Sequence, residues 1–161
     1  MNEDTKTRID SLLTDAMNAE AQAKKFYMEA AAKASSNAGK SLFNELADFE
    51  QGHYDRLQKI IEARGKGFKL TGITVPQQIA TKSEVEGQFE SNKDEIVAVL
   101  TLGIEAEKKA REKYLEISKM LDDEESRAIF VNMAEEERKH QSILEDQFYS
   151  ISNKGTIIWG D

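Results

Sequence analysis

Two pairs of residues in this sequence have the means to do chemistry. Glu50 precedes His53 by three positions, and Glu137 precedes His140 by three. Residues three apart on a helix share a face, so each pair can direct a carboxylate and an imidazole at a common object. These are the only two histidines in the 161 residues. Carboxylates with neutral imidazole suit iron or manganese, and the lack of any cysteine thiolate removes a common reason to expect zinc. Iron is the first expectation and manganese the alternative.

Both pairs belong to a longer internal repeat. At an offset of 87 positions, Glu20 falls on Glu107, Ala23 on Ala110, Tyr27 on Tyr114, Phe43 on Phe130 and Ala47 on Ala134. Without any gap, Glu50 then falls on Glu137, His53 on His140 and Leu57 on Leu144. Such self-similarity marks two copies of one supersecondary unit, and it adds Glu20 and Glu107 to the candidate ligands. In an antiparallel helix pair, residues equidistant from the turn sit at equal height. The midpoint of Glu20 and His53 is 36.5, and that of Glu107 and His140 is 123.5, both inside expected turns. Two hairpins packed about a pseudo-twofold axis would gather Glu20, Glu50, His53, Glu107, Glu137 and His140 at one centre.

Charge explains why such a centre needs metal. Four carboxylates crowded among apolar side chains repel one another and lose their hydration unless they are protonated or compensated. Two divalent cations balance four negative charges, while neutral imidazoles add ligands without changing the total. Glu105, Glu135 and Glu136 fall on other faces of their helices and are expected to be solvated. Tyr27 and Tyr114 follow Glu20 and Glu107 by two helical turns on the same face. They either hydrogen-bond to ligands or supply electrons, or serve as core aromatics.

Long helices must position these residues. The sequence has a single Pro and nine Gly, while Ala, Glu, Lys and Leu recur, which favours an all-α chain. Apolar spacing predicts a first helix from about Thr5 to Ala34, ended by Ser35-Ser36-Asn37-Ala38-Gly39, and a second that stops near Gly65. A third runs from about Asp94 to Leu121 and a fourth from about Glu124 to Ser150, with Asp122-Asp123 as the turn between them. The 28 residues from Gly65 to Asn92 make an unusually long connection. In a four-helix bundle such a crossover lets two consecutive helices run parallel. Gly155 opens a short apolar tail ending in Trp159.

Composition narrows the partners. A formal net charge of −8 argues against a sequence-independent grip on nucleic acid, which relies on Lys and Arg. The absence of cysteine excludes disulfides, rubredoxin-type iron and thiol catalysis within these residues. Met1 to Asp10 is polar and carries Glu3, Asp4 and Asp10, unlike a secretory signal, and no apolar run approaches membrane-spanning length. A cytoplasmic protein without a membrane partner is the expectation.

Through Glu20…Tyr27, Glu50-Gln51-Gly52-His53, Glu107…Tyr114 and Glu137-Arg138-Lys139-His140, the sequence resembles the rubrerythrin-like branch of the ferritin-like superfamily over about residues 5 to 150. The resemblance implies one ferritin-like four-helix domain: helix pair 5–63, crossover 65–92, helix pair 94–150 and tail 151–161. It implies a two-iron centre in which Glu50 and Glu137 bridge, with Glu20, Glu107, His53 and His140 as terminal ligands. Rubrerythrins reduce hydrogen peroxide to water, so the expected activity is a di-iron peroxidase, with a homodimer as the expected assembly. Many rubrerythrins place a further carboxylate one turn after the third-helix ligand, where this chain has Ala110. They also commonly carry a rubredoxin domain, which a chain without cysteine replaces by an external electron donor such as rubredoxin. A ferroxidase, an oxygen-reducing oxidase and a non-catalytic iron-binding bundle require the same ligands.

Overall fold

The computed structural model describes residues 2–65, 89–154 and 157–159. Four long helices dominate: α1 (Glu3–Lys33), α2 (Asn37–Gly65), α3 (Lys93–Met120) and α4 (Glu124–Lys154). This is the all-helical bundle of two hairpin repeats that the periodicity predicts. Two differences concern the ends. The second helix begins at Asn37, inside the expected turn, and the fourth continues past Ser150 to Lys154. Beyond it, β2 (Ile157–Ile158) pairs antiparallel with β1 (Phe89–Glu90), so the tail adds a two-residue strand to an otherwise helical architecture.

Local chemistry sets the helix starts. The Asn2 side chain accepts from Thr5 N at 2.8 Å and caps α1, whose first turn carries Glu3 and Asp4 against the positive end of the helix dipole. Ser36 caps α2 by accepting from Gly39 N at 3.0 Å, and Asp123 caps α4 by accepting from Ser126 N at 2.8 Å. Ser36 and Asp123 are themselves related by the 87-residue offset, so the repeat includes its caps.

Packing reveals how the hairpins are arranged. α1 lies along α2, α3 lies along α4, and α1 also meets α3. The apolar core forms two clusters. One joins the end of α1, the start of α2, the start of α3 and the later part of α4 through Ala31, Phe43, Leu100 and Leu144, together with Trp159. The other joins the opposite ends through Ile9, Ile60, Ile117 and Phe130. The repeat exchanges the clusters: Tyr27, Phe43 and Leu144 belong to the first, while Tyr114, Phe130 and Leu57 belong to the second. The hairpins therefore point their turns at opposite ends of the bundle, with the six candidate ligands between the two apolar layers. α2 and α3 run parallel, and the chain leaves α2 at one end and returns at Glu90 at the other. The residues that make this crossover, expected over 65–92, lie largely outside the described residues. Among the described residues no helix is long and apolar enough to cross a membrane.

Candidate metal centre

Each helix delivers its share of the centre. Glu20 comes from α1, Glu50 and His53 from α2, Glu107 from α3, and Glu137 and His140 from α4, and all six are buried to within 2% of full enclosure. They form two groups: Glu20, Glu50, His53 and Glu137, and Glu50, Glu107, Glu137 and His140. In each group one ligand atom per residue lies within 4.8 Å of all the others. Glu50 and Glu137 belong to both. The imidazoles turn Nδ1 inwards: His53 Nδ1 stands 2.5 Å from Glu137 Oε1 and 3.5 Å from Glu20 Oε1, and His140 Nδ1 stands 3.4 Å from Glu50 Oε1 and 3.7 Å from Glu107 Oε2.

Whether the residues suit metal can be tested on their buried atoms. Glu20 Oε2, Glu50 Oε1, Glu107 Oε2, both oxygens of Glu137 and Nδ1 of both histidines crowd together without a hydrogen bond of good geometry. Buried polar atoms left this way cost about 1–3 kcal/mol each. Their convergence into two overlapping sets fits a pair of divalent cations.

Without metal, protons would offset part of this crowded charge. Burial, reinforced by the charges of Glu137, Glu20 and Glu107, lifts the Glu50 carboxyl well above the usual carboxylate range. Burial and the charges of Glu107 and Glu20 lift Glu137 to about 8. Burial also works against Glu107, but the closeness of Glu137 and His140 and the Tyr27 hydroxyl outweigh it and hold Glu107 at about 2. Glu20 is similarly held down against burial by Glu50, His53 and Tyr114. Both histidines rise well above the usual range despite burial: His53 through Glu137 and Glu136, and His140 through Glu107, Glu137 and Glu50. A metal held here would displace these protons.

The tyrosines pack in the core and also hydrogen-bond to candidate ligands. Tyr27 and Tyr114 are buried in the two apolar clusters, against Phe43 and Phe130. Each also hydrogen-bonds a candidate ligand of the other hairpin: Tyr27 OH donates to Glu107 Oε1 at 2.6 Å, and Tyr114 OH donates to Glu20 Oε1. Burial and the neighbouring carboxylates push both phenols well above their ordinary range, so they keep their protons. Gly103 packs close beneath Leu144, where a Cβ would lie 3.1 Å away, and borders the Tyr27 hydroxyl.

A sequence profile of the rubrerythrin family matches residues 11–99 and again 98–156. The chain belongs to the rubrerythrin family. It also resembles a solved hypothetical protein from Pyrococcus furiosus, with 24% identity, 90% of each chain covered and a TM-score of 0.69, which bears on the fold. A search of curated proteins returns no match.

This rubrerythrin-family chain departs from the sequence reading at one residue. Glu105 and Glu135 are exposed as expected, but Glu136 is buried, with Oε2 2.5 Å from His53 Nε2 and Oε1 3.6 Å from the Arg56 guanidinium. The reason is tertiary, because the partners that claim Glu136 stand on a different helix. A signal was nevertheless present: the offset of 87 sets Glu136 against Phe49 and Arg56 against Ile143, a charged pair at positions that are apolar in the other repeat.

Between α1 and α3 a cleft of about 390 Å³ reaches the centre, walled by Ala19, Ala23, Ala106 and Ala110 and touching Glu20, Glu50, Glu107 and Glu137. The four alanines are repeat partners, so the opening lies on the pseudo-twofold axis. Ala110 contributes a methyl group where many rubrerythrins are expected to place a carboxylate.

Proposed function

We propose that this chain binds two iron ions at the buried centre and reduces hydrogen peroxide to water, drawing electrons from an external donor such as rubredoxin. The observation that carries the reading is the pair of four-residue groups sharing Glu50 and Glu137. On it, Glu50 and Glu137 would be shared by both ions, with Glu20 and His53 holding one and Glu107 and His140 the other. Bound iron would supply the two electrons that peroxide reduction requires by passing from the diferrous to the diferric state.

The chain's own residues supply the setting. The alanine-walled cleft admits a small oxidant, and the two apolar layers keep bulk water from the other sides. Tyr27 borders the cleft and donates to Glu107, fixing that carboxylate's orientation with a proton retained at neutral pH. Reducing one peroxide to two waters consumes two electrons and two protons. With no cysteine, the chain holds neither rubredoxin iron nor a dithiol to renew the electrons.

The test is to load the protein with iron, reduce it without oxygen, and compare its oxidation by hydrogen peroxide and by oxygen in stopped-flow absorbance. Peroxide should be faster, with about one turnover per reduced site, and NADH should sustain consumption only after a rubredoxin and its reductase are added. Faster oxidation by oxygen with repeated uptake of ferrous iron favours a ferroxidase. No reaction with either oxidant in fully loaded protein leaves an iron-binding role.

A further inference from the structure

The two candidate metal positions are alike towards the metal and different behind it. His53 and His140 each present Nδ1 to three carboxylates, and their opposite nitrogens meet different surroundings. His53 Nε2 stands 2.5 Å from the buried carboxylate of Glu136, whose charge is compensated by Arg56 at 3.6 Å. His140 Nε2 is buried with no hydrogen-bond partner, and its ring lies 5.1 Å from that of Phe49. Phe49 is the repeat partner of Glu136, and Ile143 that of Arg56. The asymmetry is thus written into two matched positions of an otherwise matched pair.

An imidazole that binds metal through Nδ1 must carry its remaining proton on Nε2. Behind His53 that proton has an anionic acceptor, which fixes the tautomer and ring orientation and makes the ligand more basic. Behind His140 the same proton faces an aromatic ring, and a buried donor without an acceptor is costly. We propose that the two positions have unequal affinity for divalent metal, that the His53 position fills first, and that Glu136 with Arg56 is the positioning pair that sets this order. The proposal rests on the two-metal reading above.

The experiment is a titration of metal-free protein with Co(II) under fixed pH, followed by visible absorption and calorimetry, with crystals grown at one equivalent to locate the ion by anomalous scattering. Two ions should bind per chain with affinities about 10- to 100-fold apart, the range that lost outer hydrogen bonds impose on metal sites. The first ion should lie beside His53. Glu136→Phe, which copies the Phe49 side, should weaken the first step and bring the affinities within about threefold of each other. Should that variant fail to fold by circular dichroism, Glu136→Gln retains an acceptor of the same shape and should weaken the first step by about tenfold. Two equal steps, a first ion shared evenly between the histidines, or an unchanged ratio in a folded variant would each overturn the proposal alone. A total below two per chain would overturn the two-metal reading and this proposal with it.

Discussion

The two hairpins are most alike at their centres and least alike at their turns. At the centre each gives a Glu, a Glu-x-x-His pair and a tyrosine whose hydroxyl crosses to the other hairpin's Glu. At the α3–α4 turn the contacts are local: Asp123 caps Ser126, Arg127 Nε donates to Leu121 O at 2.6 Å, and Ser118 Oγ donates to Arg127 O at 3.2 Å. The α1–α2 turn keeps the matching Ser36 cap but is otherwise held from outside its hairpin. Glu90 accepts from Ser35 N at 2.9 Å, Ser35 Oγ at 2.6 Å and Asn92 N at 3.0 Å, and also takes bonds from Ser36. Trp159 is fully buried against Phe43, directly over Gly39, where a Cβ would stand 2.9 Å from its ring. The centre is therefore common property of both hairpins, whereas each turn has its own support.

The largest expected effect tests that shared centre. Because Glu50 and Glu137 belong to both candidate metal groups, Glu50→Ala and Glu137→Ala should each abolish binding of both ions, from two per chain towards none. Metal analysis after anaerobic reconstitution measures this. Retention of one ion in either variant would divide the centre into two independent halves and break the comparison.

The next effect concerns pH and should involve both hairpins equally. Glu50 and His53 on one hairpin, and Glu137 and His140 on the other, have folded pKa values raised above the ordinary range. Groups shifted upwards add stability below their unfolded pKa and lose it as pH rises through the folded value, which for Glu137 is about 8. Metal-free protein should therefore melt at lower temperature at pH 9 than at pH 6, by about 2–4 °C for each kcal/mol lost at this size. With metal bound the trend should disappear or reverse, because binding displaces the same protons. Calorimetric melting curves with and without metal decide it, and a metal-free protein that gains stability over this range would contradict the assignment.

The smallest effect sharpens the contrast between the turns. Burial alone would raise Glu90, but hydrogen bonds from Ser35, Asn92 and Ser36 hold its carboxyl below the usual range. Its stabilisation is present above the unfolded carboxylate pKa and is lost as pH falls through the folded value. Glu90→Gln should cost about 1.5–3 kcal/mol, as expected for bonds to a charged acceptor, and Asp123→Ala about 1 kcal/mol, as for a lost N-cap. Hydrogen exchange should show the first substitution opening the α1–α2 turn and the second only the start of α4. Equal losses at both turns from Glu90→Gln would show that the ends are coupled.

The features legible in the residue order were local or repeated. Helical periodicity places Glu50 with His53 and Glu137 with His140, because residues three apart share a face wherever a helix forms. The repeat then sets Glu20 and Glu107 level with them across their turns. Tertiary structure decided what depends on helices distant in sequence. The tyrosine spacing is equally compatible with packing and with hydrogen bonding, and the crossing of Tyr27 to Glu107 and Tyr114 to Glu20 required the hairpins to dock with their turns at opposite ends. Glu90 sits before α3 with nothing local to mark it as buried, yet it caps a turn more than fifty residues away. Glu136 looks like one more solvated acid beside a ligand, and only the approach of α2 brings His53 and Arg56 to it. A carboxylate's fate is set by the donors that surround it, and those donors reach it only when the chain folds.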